Sequence, residues 1–394
     1  MSNTISKIAI TFGRFVKVIS VLLLASVAFA EGGQSITVNC NNGDSLNSTL
    51  AKLNKQAPHT VIVQGTCTEF VTVNGIEGLT LRGQAGATIQ QPATNPQNNA
   101  YVLSITGSRG INVFGLSVSS LPSIFSGIGI AKGSSQVQLQ NVNVTGSWGI
   151  VVAEESQVWL VQVKVTISSG FAAVSAFDKS DVHIAGGLLQ RPSDGNFYAG
   201  LFVGSGHVTL QGMTIRDMQE SIDITESGSV DLVDVDTTQP TDVMIDNPSG
   251  TNTNGAFVSD GSSLNLGSAR LLIRNAGQSW GGTSGAVFVT NNSTLNAGAN
   301  LIITNSQGQG VIVTNNSHAT LAGSSVTGDL HGGLVAANLS TIDVQQGSTL
   351  TLVGGNRPDL FCDSSSYITG TANLSGVPTS SCTNQLLSNY SSLP

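Results

Sequence analysis

The sequence predicts an all-β chain wound as a single-stranded right-handed parallel β-helix: a three-sheet solenoid with an N-terminal capping helix and disulfide-stapled ends. Three observations predict it. A short pattern of apolar alternation recurs along most of the 394 residues. An amphipathic helical pattern is read only in one short stretch near the N-terminus. Charged residues make up only 10% of the chain, against about 25% in an average domain, while glycine alone numbers 46.

The repeat comes first. Gly127-Ile128-Gly129-Ile130 is followed by Val137-Gln138-Leu139, a polar Asn141, and Val142-Asn143-Val144. The same order returns at Gly149 to Val165, at Leu201 to Ile215 and at Ile222 to Asp236, and more loosely over Ala256–Ile273, Val287–Ile303, Val311–Val326 and Leu334–Leu352. Each copy holds two or three short strands with period-two alternation. One such coil cannot bury its own apolar face, so stability must build through stacked neighbours. Asn141, Gln162, Gly186, Gly212 and Asp234 fall between the second and third strands, where left-handed geometry or side-chain stacking is favoured.

The ends follow. Lys7, Arg14 and Lys17 precede the apolar run 18–27, and Ala28-Phe29-Ala30 forms a small-residue cleavage site. This reads as a secretory leader over 1–30 and implies export to the periplasm, the cell surface or the medium. The alternative is an uncleaved anchor. No second run is long enough to span a bilayer. Residues 31–60 read as a cap: after Ile36-Thr37-Val38, Asp44 or Ser45 can start a helix with Leu46, Leu50 and Leu53 on one face. The solenoid is expected over 61–356, and a C-terminal cap or tail over 357–394. Four cysteines allow three pairings. An elongated fold keeps its ends apart, so the local pairs Cys40–Cys67 and Cys362–Cys382 fit best. An exported chain would form them.

The runs Ile36-Thr37-Val38-Asn39-Cys40, Gly43-Asp44-Ser45-Leu46, Val61 to Glu69 and Leu79-Thr80-Leu81-Arg82-Gly83 resemble bacterial secreted right-handed β-helix proteins of the pectin-lyase-like superfamily. The resemblance spans the chain after the leader. It implies the fold, and a site on the outer face of the first-strand sheet between long turns. It does not imply an activity, because that superfamily hosts lyases, hydrolases, epimerases and adhesins. The Asn-Thr-Asp, Asp-Asp, Gly-His-Gly and Arg-x-Lys series of its hydrolases is absent, and Ser205-Gly206-His207 does not supply it.

Charge narrows the partners. The whole chain carries −8; beyond residue 30, twelve basic residues face twenty-three acidic ones. A mildly acidic surface with no basic cluster excludes nucleic acid as the expected partner. No nucleotide loop, nucleophile elbow or histidine metal spacing occurs. No cofactor is expected, with calcium the one ion an acidic stretch could suit. That stretch is Asp223, Glu226, Asp231, Asp234, Asp236, Asp242 and Asp246. Aligned coils set Asp231 over Thr209 and Asn265, so these acids spread around one coil and read first as solvated.

One outward column on the first-strand sheet stands out: Gly129, Val151, Ala173, Phe202, Asp223, Phe257, Phe288, Ile312. Outward apolar residues in a row need cover or a partner. The turns before these strands carry Arg191, Asp194, Phe197 and Tyr198, then Asp242 and Asp246, then Trp280. Three readings follow: loops that cover the column, a glycan groove, or a protein-partner surface. The expected role is a non-catalytic secreted or cell-surface protein binding a polysaccharide or partner through Phe202, Phe257, Phe288, Tyr198 and Trp280. The alternative is a polysaccharide lyase or glycoside hydrolase using Asp223 with Asp194, Asp242 or Asp246 and Arg191.

Overall fold

The computed structural model describes residues 34–387, apart from 95–98, 122–125, 169, 192–198, 235–241, 249–253, 278–283, 299, 328–331, 352–359, 376–380 and 383–384. The leader read over 1–30 lies outside the described residues. The described chain is a right-handed parallel β-helix of about 11 turns.

Every coil contributes strands to three columns. The first column stacks twelve strands, from Val71–Asn74 to Leu360–Cys362. The second runs from Gln34–Asn39 to Gln385–Leu387, and the third from Thr66–Thr68 through the end of Tyr367–Ser375. The three columns are the three sheets that the sequence predicts, and continuous strands join the second to the third. Gln157–Ile167, Asp181–Gln190, Thr341–Thr351 and Tyr367–Ser375 each run through the corner unbroken. Left-handed residues turn that corner: Asn141, Gln162 and Gly212 have φ of 52°, 51° and 52°, and in one coil Gly186 and Gly187 have φ of 66° and 101°. One such residue bends a strand without a loop, so the ladder continues.

Inward residues pair with their equivalents one coil on. Ile128 sits on Ile150, Ile150 on Val174, and Leu201 on Ile222, all fully buried. Together they form one continuous apolar core. Such burial contributes about 1.5–3 kcal/mol per large side chain.

A second stack runs beside this core. At the start of the second column, buried serines pass backbone N–H groups from coil to coil. Ser108, Ser134 and Ser156 each donate N–H to the next serine hydroxyl at 3.2–3.3 Å, ending on Ser180. Ser262, Ser293, Ser317 and Ser340 do the same at 3.1–3.2 Å, ending on Ser366. Gly206 and Gly228 replace serine in the two coils between.

The N-terminal cap forms as read. Ser45 caps the helix Leu46–Ala51 by accepting from Ser48 N, and Leu46, Leu50 and Leu53 are buried. Glu69, from the coil beneath, accepts from Leu46 N at 2.6 Å, Asn47 N at 3.2 Å and the Ser45 hydroxyl at 2.7 Å. A carboxylate at a helix start satisfies orphan donors and complements the dipole. The disulfides are Cys40–Cys67 and Cys362–Cys382. No helix among the described residues is long and apolar enough to cross a membrane.

Candidate functional site

The outer face of the first column is built by a bend. Its ladders skip one residue near each strand start: Ala172 pairs with Ala199 and Val174 with Leu201, while Glu220 pairs with Asn254 and Ile222 with Ala256. The skipped residue turns into the core. Val102, Ala173 and Ala286 at this position all belong to the core cluster. A Cβ on Gly149 would meet the Ala173 carbonyl oxygen at 2.1 Å and Val165 Cγ1 at 2.3 Å, so the corner of this coil has no room for a side chain.

The bend corrects one member of the expected outward column. Ala173 faces the core, and Ser175 takes its place, pairing with Val151 below and Phe202 above. From there the row reads Phe202, Asp223, Phe257, Phe288, Ile312 as expected. The three phenylalanines are partly exposed, and Phe257 and Phe288 contact edge to face at 5.4 Å between centroids. Phe202 joins a second cluster, 4.6 Å from Phe171 and 5.3 Å from Phe177, with Trp148 5.6 Å beyond Phe171.

The bend also places a residue that alternation hides. Glu220 has the parity of the inward Ile222 and Ile224, but Ser221 between them takes the inward corner. Glu220 therefore emerges beside Asp223, and the two carboxyls share a hydrogen bond. Asp223 therefore shares this floor with a second acid. Both are buried, at 9% and 7% exposure. Burial, then the Glu220 charge, pushes Asp223 up to about 8, with a smaller contribution from Asp260. Burial also raises Glu220, against the lowering effect of its hydrogen bonds to Asn254 and Asp223. Two carboxyls in contact cannot both ionise cheaply, so the pair holds one proton at neutral pH. Asn254 Nδ2 donates to Glu220 Oε1 at 3.4 Å, and Asn254 Oδ1 accepts from Gly285 N at 3.1 Å. The chain Asp223–Glu220–Asn254–Gly285 thus crosses three coils of the face.

The other acids do not converge on this point. Asp242 is paired with Arg270, at 2.6 and 3.0 Å, at the edge of the third column. Asp246 lies on the outer side of that column and accepts from Asn275 Nδ2 at 3.2 Å. Asp231 sits in the second column between Thr209 and Asn265, as aligned. Arg191 is buried, and its Nε donates to the Asp217 backbone carbonyl. Asp194, Tyr198 and Trp280 lie outside the described residues, as does most of each long turn that carries them.

Among the described residues, no group of three ligating side chains includes Asp223. Cys40, Cys67 and Glu69 approach one another, but the two sulfurs are bonded and Glu69 caps the helix.

No family model matches the sequence. No curated protein matches it either. Among solved structures, the fold is similar to pectate lyase Pel9A, at 12% identity over 90% of this chain and 79% of that one, with a TM-score of 0.33. A likeness that weak carries no argument about family or activity.

Proposed function

We propose that this is an exported β-helix protein that binds a polysaccharide along the outer face of its first column without cleaving it. The observation that carries this reading is the row Phe202–Asp223–Phe257–Phe288, with Glu220 and Asn254 beside it. Parallel strands repeat every ~4.8 Å, so the row spans about 14 Å. Partly exposed rings at that spacing offer stacking surfaces to an extended chain of sugar rings, and the carboxyl pair and amide between them offer hydrogen bonds. The leader-like N-terminus and two disulfides support export. The N-terminal resemblance supports a bacterial origin within the pectin-lyase-like superfamily.

Spacing supports the reading against hydrolysis. Inverting hydrolysis needs carboxyls ~6.5–9.5 Å apart and retaining hydrolysis ~5–5.5 Å. Glu220 and Asp223 are closer, in hydrogen-bond contact. A second reading, a hydrolase or lyase with Asp223 as proton donor, is favoured by one fact: a carboxyl protonated at neutral pH is what a general acid requires.

The test is binding of the purified protein to a polysaccharide array, with reducing ends and unsaturated products followed in parallel. Binding without products, weakened at least tenfold in Phe257→Ala/Phe288→Ala, supports the proposal. Product release that vanishes in Asp223→Asn would replace it with the second reading. Absence of binding to every polymer would overturn both.

A further inference from the structure

We infer that the glycan taken by this face is uncharged, and that polyuronates are excluded from it; the inference rests on the polysaccharide-binding reading above. Three observations lead there. The centre of the row is an acid pair, with a third carboxylate, Asp260, close enough to act on Asp223. No lysine or arginine occupies these two outward rows of the first column among the described residues: the paired positions carry Thr, Ser, Gly, Val, Phe, Asp and Ile in one row and Tyr, Ser, Trp, Ala, Glu, Asn, Gly and Gln in the next. Arg191, the nearest candidate from the sequence, is committed to a backbone carbonyl and is 4% exposed.

A polyanion laid on this face would bring carboxylates against Glu220 and Asp223 with no cation to offset them. Like charges at short range in a part-buried site are strongly unfavourable. A calcium bridge would need the pair fully ionised, which its own contact opposes. Neutral hydroxyls meet no such penalty. They can accept from the Asn254 amide and donate to the carboxyl oxygens. The same row also carries a neutral hydroxyl beneath that surface. Ser175 points outward next to Phe202, is fully buried, and its hydroxyl has no hydrogen-bond partner among the described residues.

The experiment compares polymers differing in charge alone. Binding of the purified protein is measured at pH 6 and low ionic strength to polygalacturonate, to its fully methyl-esterified form, and to neutral galactan, mannan and glucan. At least one neutral polymer should bind ten times or more as tightly as polygalacturonate. Esterification should raise polygalacturonate binding. In Glu220→Gln/Asp223→Asn, checked for a native melting transition, the gap between esterified and free polygalacturonate should close to within about threefold. Polygalacturonate binding equal to or tighter than the neutral polymers would overturn the inference while leaving polysaccharide binding intact. A neutral preference unchanged in the double variant would also overturn it, since the acid pair would not be its cause. Failure to bind any polymer would remove the underlying reading itself.

Discussion

Glu220 and Asp223 lie on the same outer face, although three residues along a regular strand belong to opposite faces. Ser221 turns into the core at the corner and shifts the alternation by one. The pair is therefore a product of the bend that every coil of the first column shares. What is particular to this coil is that both positions carry acids.

The pair makes stability depend on pH. Asp223 is raised from 3.8 to about 8 by burial and by Glu220 and Asp260, the acids acting on it. The folded state therefore keeps a proton that the unfolded chain releases above about pH 4. With more protons bound folded than unfolded at this site, its contribution to stability is fullest below pH 4 and declines as pH rises towards 8. The slope is at most about 1.4 kcal/mol per pH unit. The melting temperature should fall between pH 5 and pH 8, and Asp223→Asn should flatten that fall. An equal fall in the variant would count against the shared proton.

Glu69 ties the capping helix to the first coil. Glu69→Ala leaves Leu46 N and Asn47 N without their acceptor, a cost of about 1–3 kcal/mol. Hydrogen exchange should quicken over Leu46–Ala51 and stay unchanged near Ser340. Protection lost evenly along the solenoid would contradict a local role.

The corner tolerates little. Gly149→Val should abolish soluble expression or lower stability by about 3 kcal/mol or more, since its side chain meets Val165 and the Ala173 backbone. Ala173→Gly, one coil on, should cost only about 0.5–1 kcal/mol. Denaturant midpoints compare the two; similar losses would mean the corner is not sterically closed.

The serine stack gives a fourth measurable contact. Ser317 is buried and accepts the Ser293 N–H at 3.2 Å. Ser317→Ala should cost about 1–3 kcal/mol in urea unfolding. A neutral result would indicate that this N–H finds another acceptor.

Much of the fold is legible in the sequence because coil period and strand alternation are carried by large side chains. Ile128, Ile150, Leu201 and Ile222 announce their faces; Ser45 with Leu46, Leu50 and Leu53 announces the cap; cysteines near each end pair locally. The site is legible only in part. Asp223 and the phenylalanine row follow from alternation counted outward from the core residues. Ala173 and Glu220 do not, because the count fails across a one-residue bend, and a slip of one reverses every face beyond it. The clue was present in the small residues Gly127, Gly149, Gly200 and Gly255 at equal places in their coils. The serine stack escapes for another reason: serine before a strand reads as turn filler, and only spatial stacking reveals it as a hydrogen-bond relay.

That relay is interrupted. From Ser180 to Ser262 it passes through Gly206 and Gly228, and Gly228 N turns back to the Thr225 carbonyl at 2.9 Å. In a linear array each coil is held by its neighbours, so cooperativity is weakest where a coupling is missing. The solenoid should behave as two more tightly coupled blocks joined at a softer seam, and Glu220 and Asp223 sit in that seam. Stress on the molecule, by heat or by pulling its ends, would then be relieved first at the coils that carry the acid pair.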